Sequence, residues 1–163
     1  LGDIYDWRSG EKVAGLHTGD GKTFLDSEAA TFSAYEPHDN KFVGNTTIGV
    51  VFTNAKFAKS SLCKIAGMAH DGYARAIRPV HTTADGDSIY AVSLGELAAD
   101  QDIVGALGAQ VMAEAILRAV RAAKPAYGLP AAHERKISAH SRQEMRNFFC
   151  PIFILLSKYP KKN

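Results

Sequence analysis

The sequence predicts an α/β (α+β) fold in which helices pack on a sheet. Three observations carry that reading. Residues 46–54, Thr-Thr-Ile-Gly-Val-Val-Phe-Thr-Asn, are mostly β-branched or aromatic and carry no charge, as a central strand requires. Residues 58–77 and 101–124 repeat their apolar positions with a helical period. The two kinds of segment alternate along the chain as hairpin, loop, strand, helix, strand, helix, the order of helices laid on a sheet.

Each element has its own signal. Asp3 to Trp7 and Lys12 to Leu16 flank the polar turn Arg8-Ser9-Gly10-Glu11, which predicts a hairpin. Residues 17–41 are rich in Gly, Ser, Thr and Asp, follow neither period, and read as a long exposed loop. In the strand that follows, Ile48, Val50 and Phe52 share one face and Thr47, Gly49, Val51 and Thr53 the other. Over 58–77, Leu62, Ile65, Ala66, Ala69 and Tyr73 form one stripe, Ser60 or Ser61 is placed to cap, and Pro79 stops the helix. Residues 88–94 predict a second strand, closed by Gly95. Over 101–124, Val104, Leu107, Val111 and Ala115 form a stripe behind an Asp100 cap, with Pro125 and Gly128 beyond the end. The many Ala and Gly residues there predict close packing on a sheet.

The chain has 163 residues, enough for one domain with a hydrophobic core. Its formal charge of +2 is unevenly spread. Residues 131–163 hold seven Lys/Arg and two Asp/Glu, leaving 12 basic and 15 acidic residues in 1–130. A mildly acidic body offers nothing to nucleic acid. The tail carries the apolar run 148–156, far short of the ~20 residues of a membrane helix, so neither nucleic acid nor membrane is an expected partner. Residues 132–163 are expected to be an atypical basic and apolar tail. No charged-then-apolar leader opens the sequence, and a cytoplasmic location is the expectation. Cys63 and Cys150 have no metal-ligand or redox spacing. Cys63 is expected to be a buried thiol, and neither a cofactor nor a metal is expected.

Two motifs can carry chemistry. In Gly44-Asn45-Thr46-Thr47-Ile48 a polar loop runs into the first strand. A Thr there can turn its hydroxyl on the preceding carbonyl, that of Asn45, and shift the chain from amide to ester. Water then opens the ester and leaves Thr46 with a free α-amine, whose ordinary pKa of about 7.7–8.0 suits a general base. One residue then supplies nucleophile and base. In Asp85-Gly86-Asp87, carboxylates at i and i+2 of an extended segment point the same way, and their repulsion should raise one of them. Such a pair can hold an ammonium group or orient a nucleophile. Plainer readings stand beside these: a strand threonine, a glycosylation sequon at Asn45, a solvated turn or a calcium loop at 85–87.

The order of the motifs resembles the self-processing L-aminopeptidase/D-esterase family, which includes β-peptidyl aminopeptidases and 6-aminohexanoate-oligomer endohydrolase. The likeness runs from Gly44 through Thr46-Thr47-Ile48-Gly49-Val50-Val51 to Asn54. It resumes in Ala69-His70-Asp71-Gly72-Tyr73-Ala74-Arg75-Ala76-Ile77-Arg78-Pro79-Val80-His81-Thr82 and again in Asp85-Gly86-Asp87-Ser88-Ile89-Tyr90-Ala91-Val92. The resemblance implies a four-layer α/β/β/α sandwich, of which residues 1–131 are the carboxy-terminal portion. Residues 1–45 would end the larger subunit and 46–131 would form the nucleophile subunit. It implies cleavage at Asn45–Thr46, Thr46 as N-terminal nucleophile, and Asp85 and Asp87 as the catalytic carboxylates beside it. The substrate would be a small peptide or other amide, and the upstream part of the same precursor would be a partner. That part would supply an Asn, a Lys and the oxyanion-stabilising groups, and the whole would form homo-oligomers.

His70 and His81 fall inside the matched segments and are expected to pack or to shape a loop. Arg75 and Arg78 are expected to serve the helix end or acidic neighbours. Two other functions stay open on these residues: an acyltransferase of related architecture, and an inactive fragment serving as an assembly or binding module.

Overall fold

The computed structural model describes residues 2–19, 23–34, 46–128 and 130–132, with the backbone of 153–154. Asn45, Cys150 and most of the tail lie outside the described residues.

The predicted hairpin forms. β1 (Asp3–Tyr5) and β2 (Lys12–Ala14) pair antiparallel with Ile4 opposite Ala14, and the Gly10 N–H donates to the Asp6 carbonyl at 2.7 Å. The segment after the hairpin is not the featureless loop expected. It contains α1 (Ser27–Ser33), capped by Asp26, whose carboxylate accepts from the Glu28 and Ala29 N–H groups. Seven residues are too few to show a period, so only the cap chemistry marked this helix. Asp3 ties the segment down. Its buried carboxylate accepts from Leu16 N (2.8 Å), Ser27 N (2.8 Å) and Ser27 Oγ (2.7 Å), and pairs with Lys12 Nζ at 2.6 Å. Burial pushes this carboxyl up, but the bonds from Lys12, Ser27 and Leu16 outweigh it and hold Asp3 below the ordinary range.

β3 (Ile48–Ala55), α2 (Lys59–Ala76), β4 (Ile77–Arg78), β5 (Ser88–Leu97) and α3 (Gln101–Ala122) follow. All but β4 lie close to their expected positions, except that β5 runs on through Gly95; the short β4, directly after α2, is a strand the sequence does not predict. β4 pairs antiparallel with β1, giving one sheet of order β2-β1-β4. β3 is central, as its uncharged faces require. It pairs parallel with β5 on one edge and on the other with β6 (Phe153–Ile154), the part of the tail that is described.

Both long helices cover the same face of β3. Gly49, Val51, Thr53 and Ala55 are buried there, in the expected alternation. The core joins Val51 to Ile65, Ala69, Tyr73 and Ala76 of α2, Ile77 of β4, and Val104, Met112 and Ala113 of α3. Three expectations are corrected. Neither Ser60 nor Ser61 caps α2: its N-cap is Ala58, without a side-chain bond. Cys63 is exposed, because it falls on the face of α2 opposite Ile65 and Ala69. The small residues of α3 serve mainly its contact with α2. A Cβ on Gly72 would come within 2.4 Å of the Ala109 carbonyl oxygen, and one on Gly105 within 2.3 Å of Met68 Sδ. The buried stripe of α3 is therefore Val104, Gly105, Gly108, Ala109, Met112, Ala113 and Leu117, rotated from the expected one, with Leu107, Val111 and Ala115 half-buried at its margin. The Asp100 cap forms as expected, accepting from Asp102 N at 2.8 Å and Ile103 N at 3.1 Å. Among the described residues α3 is long and apolar enough to cross a bilayer, and its packing against α2 accounts for that composition.

The other face of the sheet has no helix among the described elements. Ile48, Tyr90 and Leu94 stand exposed on it.

Candidate functional site

The parallel register builds the site. Ile48 lies opposite Ser88, so the residues that lead into β3 meet those that lead into β5. The Ser88 N–H donates to the Thr47 carbonyl at 3.0 Å, and the Thr47 N–H donates to Asp87 Oδ1 at 2.9 Å. Tyr73, on the buried face of α2, spans both strand ends. Its hydroxyl donates toward the Thr47 carbonyl at 3.3 Å and the Ser88 carbonyl at 3.4 Å. Burial first, and the nearby Asp87 charge second, push the Tyr73 phenol up to about 12, so it remains a neutral donor.

Thr46 is exposed at the mouth of this arrangement. Its hydroxyl lies over Gly86: a Cβ at position 86 would sit 2.8 Å from Thr46 Oγ1. Glycine serves here by leaving room for that hydroxyl. Asp87 is the opposite in exposure, its side chain only 4% accessible. Oδ1 holds the Thr47 amide. Oδ2 lies 2.9 Å from His81 Nδ1 in an ion-pair contact and accepts no hydrogen bond from the described residues.

Asp85 departs from its expected pose. It is a bridge residue that closes the turn through Thr83 and Ala84, its N–H donating to the Thr82 carbonyl at 3.0 Å, and its carboxylate faces back to Thr82, accepting from Thr82 N and Thr82 Oγ1, each at 2.8 Å. Burial pushes Asp85 up, but hydrogen bonding, Thr82 included, outweighs it and holds the carboxyl below its ordinary value. Repulsion within the pair does not make Asp85 the raised member. The structure therefore gathers Thr46, Thr47, Gly86 and Asp87 closely, with Asp85 on the adjoining turn. Asn45 lies outside the described residues.

Two residues were not recognised as parts of this site from sequence. Tyr73 read as core, which it also is. His81 read as loop-shaping. It adopts φ 57, a left-handed conformation in which His is enriched among non-glycine residues. Its ring stands edge-on to His70 (centroids 4.9 Å) and tilted toward Tyr73 (5.9 Å). Burial, then the His81 charge, holds His70 below the ordinary histidine range, with Asp87 and Asp71 opposing. Arg78 stacks on Tyr5, its guanidinium carbon 4.8 Å from the ring centroid. Among the described residues no group of three or more His, Cys, Asp or Glu could hold a metal ion.

An exposed hydroxyl lodged over Gly86, at the end of a strand pinned by the next residue's buried carboxylate, can attack a carbonyl while the carboxylate holds a cation.

The family model described as peptidase family S58 matches residues 9–133. An uncharacterized aminopeptidase of Mycobacterium tuberculosis (strain ATCC 25618 / H37Rv) is 38% identical over 101 residues, covering 53% of this chain and 29% of the relative. An uncharacterized aminopeptidase of Mycobacterium leprae (strain TN) is 40% identical over 101 residues, with 53% and 28% covered. The 6-aminohexanoate-oligomer endohydrolase of Kocuria sp. (strain KY2) is 33% identical over 91 residues, with 48% and 26% covered. The chain thus spans less than a third of the length of these relatives. The resemblance carried by the three motifs is borne out.

Proposed function

The chain belongs to peptidase family S58, and on that premise we propose that it is the nucleophile-bearing portion of a self-cleaving amide hydrolase with Thr46 as nucleophile. The supporting observation is the exposed Thr46 hydroxyl lodged over Gly86, one residue from an amide held by the buried Asp87.

Cleavage begins when Thr46 Oγ1 attacks the Asn45 carbonyl carbon. The C–N bond breaks, the acyl group moves to oxygen, and the nitrogen, keeping its own proton, takes the hydroxyl proton as well and becomes the new α-amine. Water hydrolyses the ester to free the Asn45 carboxyl and restore the hydroxyl. In turnover the α-amine takes the hydroxyl proton as Oγ1 attacks the substrate amide carbon, then gives it to the leaving amine. Water attacks the acyl-enzyme and releases the acid. Asp87 and Asp85 orient Thr46 and hold its amine when protonated. The substrate is a short peptide or amide oligomer. The groups that stabilise the oxyanion belong to the additional length of the relatives, and the second sheet of the sandwich would lie on the face that exposes Ile48, Tyr90 and Leu94.

Intact mass tests this directly. The incubated precursor should split on the amino side of Thr46, and Thr46→Ala should stay whole. A wild-type precursor that neither splits nor hydrolyses amides removes the proposal.

A further inference from the structure

We propose that His81 is a positioning residue that fixes the Asp87 carboxylate beside the nucleophile. This rests on the functional reading above, because Asp87 matters only if Thr46 reacts.

A carboxylate held at one oxygen can still turn about its last bond, since the terminal torsion of Asp is broad. Asp87 is held at Oδ1 by the Thr47 amide. At Oδ2 the described contact is with His81 Nδ1, at 2.9 Å, an ion pair when the ring is protonated and not a hydrogen bond in this geometry. A hydrogen bond at one oxygen and a close ring contact at the other restrict the plane of the group; the first alone does not. The side chain is 4% exposed, so water offers little replacement.

His81 is itself held. It leaves the chain in the left-handed conformation, φ 57, which aims its ring back under the β3 and β5 ends. Two side chains of α2 face that ring: His70 edge-on at 4.9 Å and Tyr73 at 5.9 Å between centroids. Tyr73 in turn contacts the carbonyls of Thr47 and Ser88. The ring thus lies between a helix and a carboxylate, and no described contact joins it to Thr46. It acts on the nucleophile only through Asp87.

Two substitutions separate the side chain from the backbone. Both glycine and asparagine accept positive φ. His81→Gly removes the ring without backbone strain. His81→Asn keeps an N–H donor near the place of Nδ1. Hydrogen exchange at the Thr47 amide reads the Asp87 anchor without any turnover. Precursor splitting, and hydrolysis of a 6-aminohexanoate linear trimer and of L-amino-acid p-nitroanilides, read the chemistry. Thermal melts check that each variant folds.

In H81G the Thr47 amide should exchange at least about tenfold faster. Splitting and kcat should fall about 10–100-fold, with KM changed less than about twofold. H81N should recover most of both, to within about fivefold of wild type. If H81G matches wild type in exchange and in rate, or if H81N falls as far as H81G, His81 does not position Asp87. If the Thr47 amide responds as stated but the wild type neither splits nor hydrolyses amides, the positioning stands and the functional reading fails.

Discussion

Two buried aspartates, Asp3 near the start of the described chain and Asp87 in its middle, behave differently. Asp3 is 0% exposed and saturated: Lys12, the Leu16 amide, and the amide and hydroxyl of Ser27 all converge on it. Asp87 is nearly as buried, yet it has one hydrogen bond and one ion-pair contact. Burial alone therefore does not distinguish the two. Saturation does: the Asp3 carboxylate is satisfied within the fold, whereas Asp87 Oδ2 accepts no hydrogen bond from the described residues and has the His81 ion-pair contact in its place.

The contrast breaks most visibly in Asp3→Ala. This leaves the Lys12 ammonium, 12% exposed, without its carboxylate, and should cost about 3–5 kcal/mol in urea unfolding. The folded fraction should keep whatever splitting rate the wild type has. Asp87→Asn should do the reverse. The amide oxygen can still accept from Thr47, so the melting temperature should move by only a few degrees. On the proposed function, splitting and kcat should drop at least ~100-fold, about 2.7 kcal/mol in the barrier. Equal losses of stability in the two variants would erase the distinction.

A smaller effect is expected of Gly86→Ala. The new methyl would displace the Thr46 hydroxyl, from which it would stand 2.8 Å, but Thr46 is exposed and can move. Stability should change by less than ~1 kcal/mol, while splitting slows about tenfold. Acid titration sharpens the comparison last. Asp3, Asp6, Asp85 and Glu114 are all held below their ordinary values, burial acting upward in each and hydrogen bonds or ion pairs outweighing it. Their stabilisation is complete above the unfolded carboxylate range and is lost as pH falls below about 4. His70, held down by burial, adds an earlier and shallower loss as pH falls below about 6.5, because the unfolded chain then binds the proton first. Asp3→Ala should flatten the steeper limb and leave the His70 limb in place.

Much of this was legible in local patterns. The uncharged β3 read as central because a charge on either face would have had to be buried, and Asp100 read as a cap because its carboxylate competes for the first free amides. Thr46, Asp85 and Asp87 were visible as residue types suited to the chemistry. Their proximity was expected from the family resemblance and not from local pattern: the register that brings Thr47 to Asp87 spans 40 residues and depends on parallel pairing, which leaves no local signature. His81 was missed as a partner of Asp87 for the same reason, its role resting on a backbone angle and on rings from another element. The rotation of the α3 stripe came from helix-to-helix contact, where Gly105, Gly108 and Ala109 count as buried although no apolar period marks them.

The attachment of Thr46 to β3 has a kinetic consequence. β3 is laddered on both edges, and its pairing begins at Ile48. A break before Thr46 would remove no rung of that ladder. The freed end would be a tether of two residues, with the second, Thr47, fastened through both its amide and its carbonyl. On the proposed function, the orientation of the hydroxyl is thus largely set during folding, so little of that freedom is left to lose once a substrate is bound.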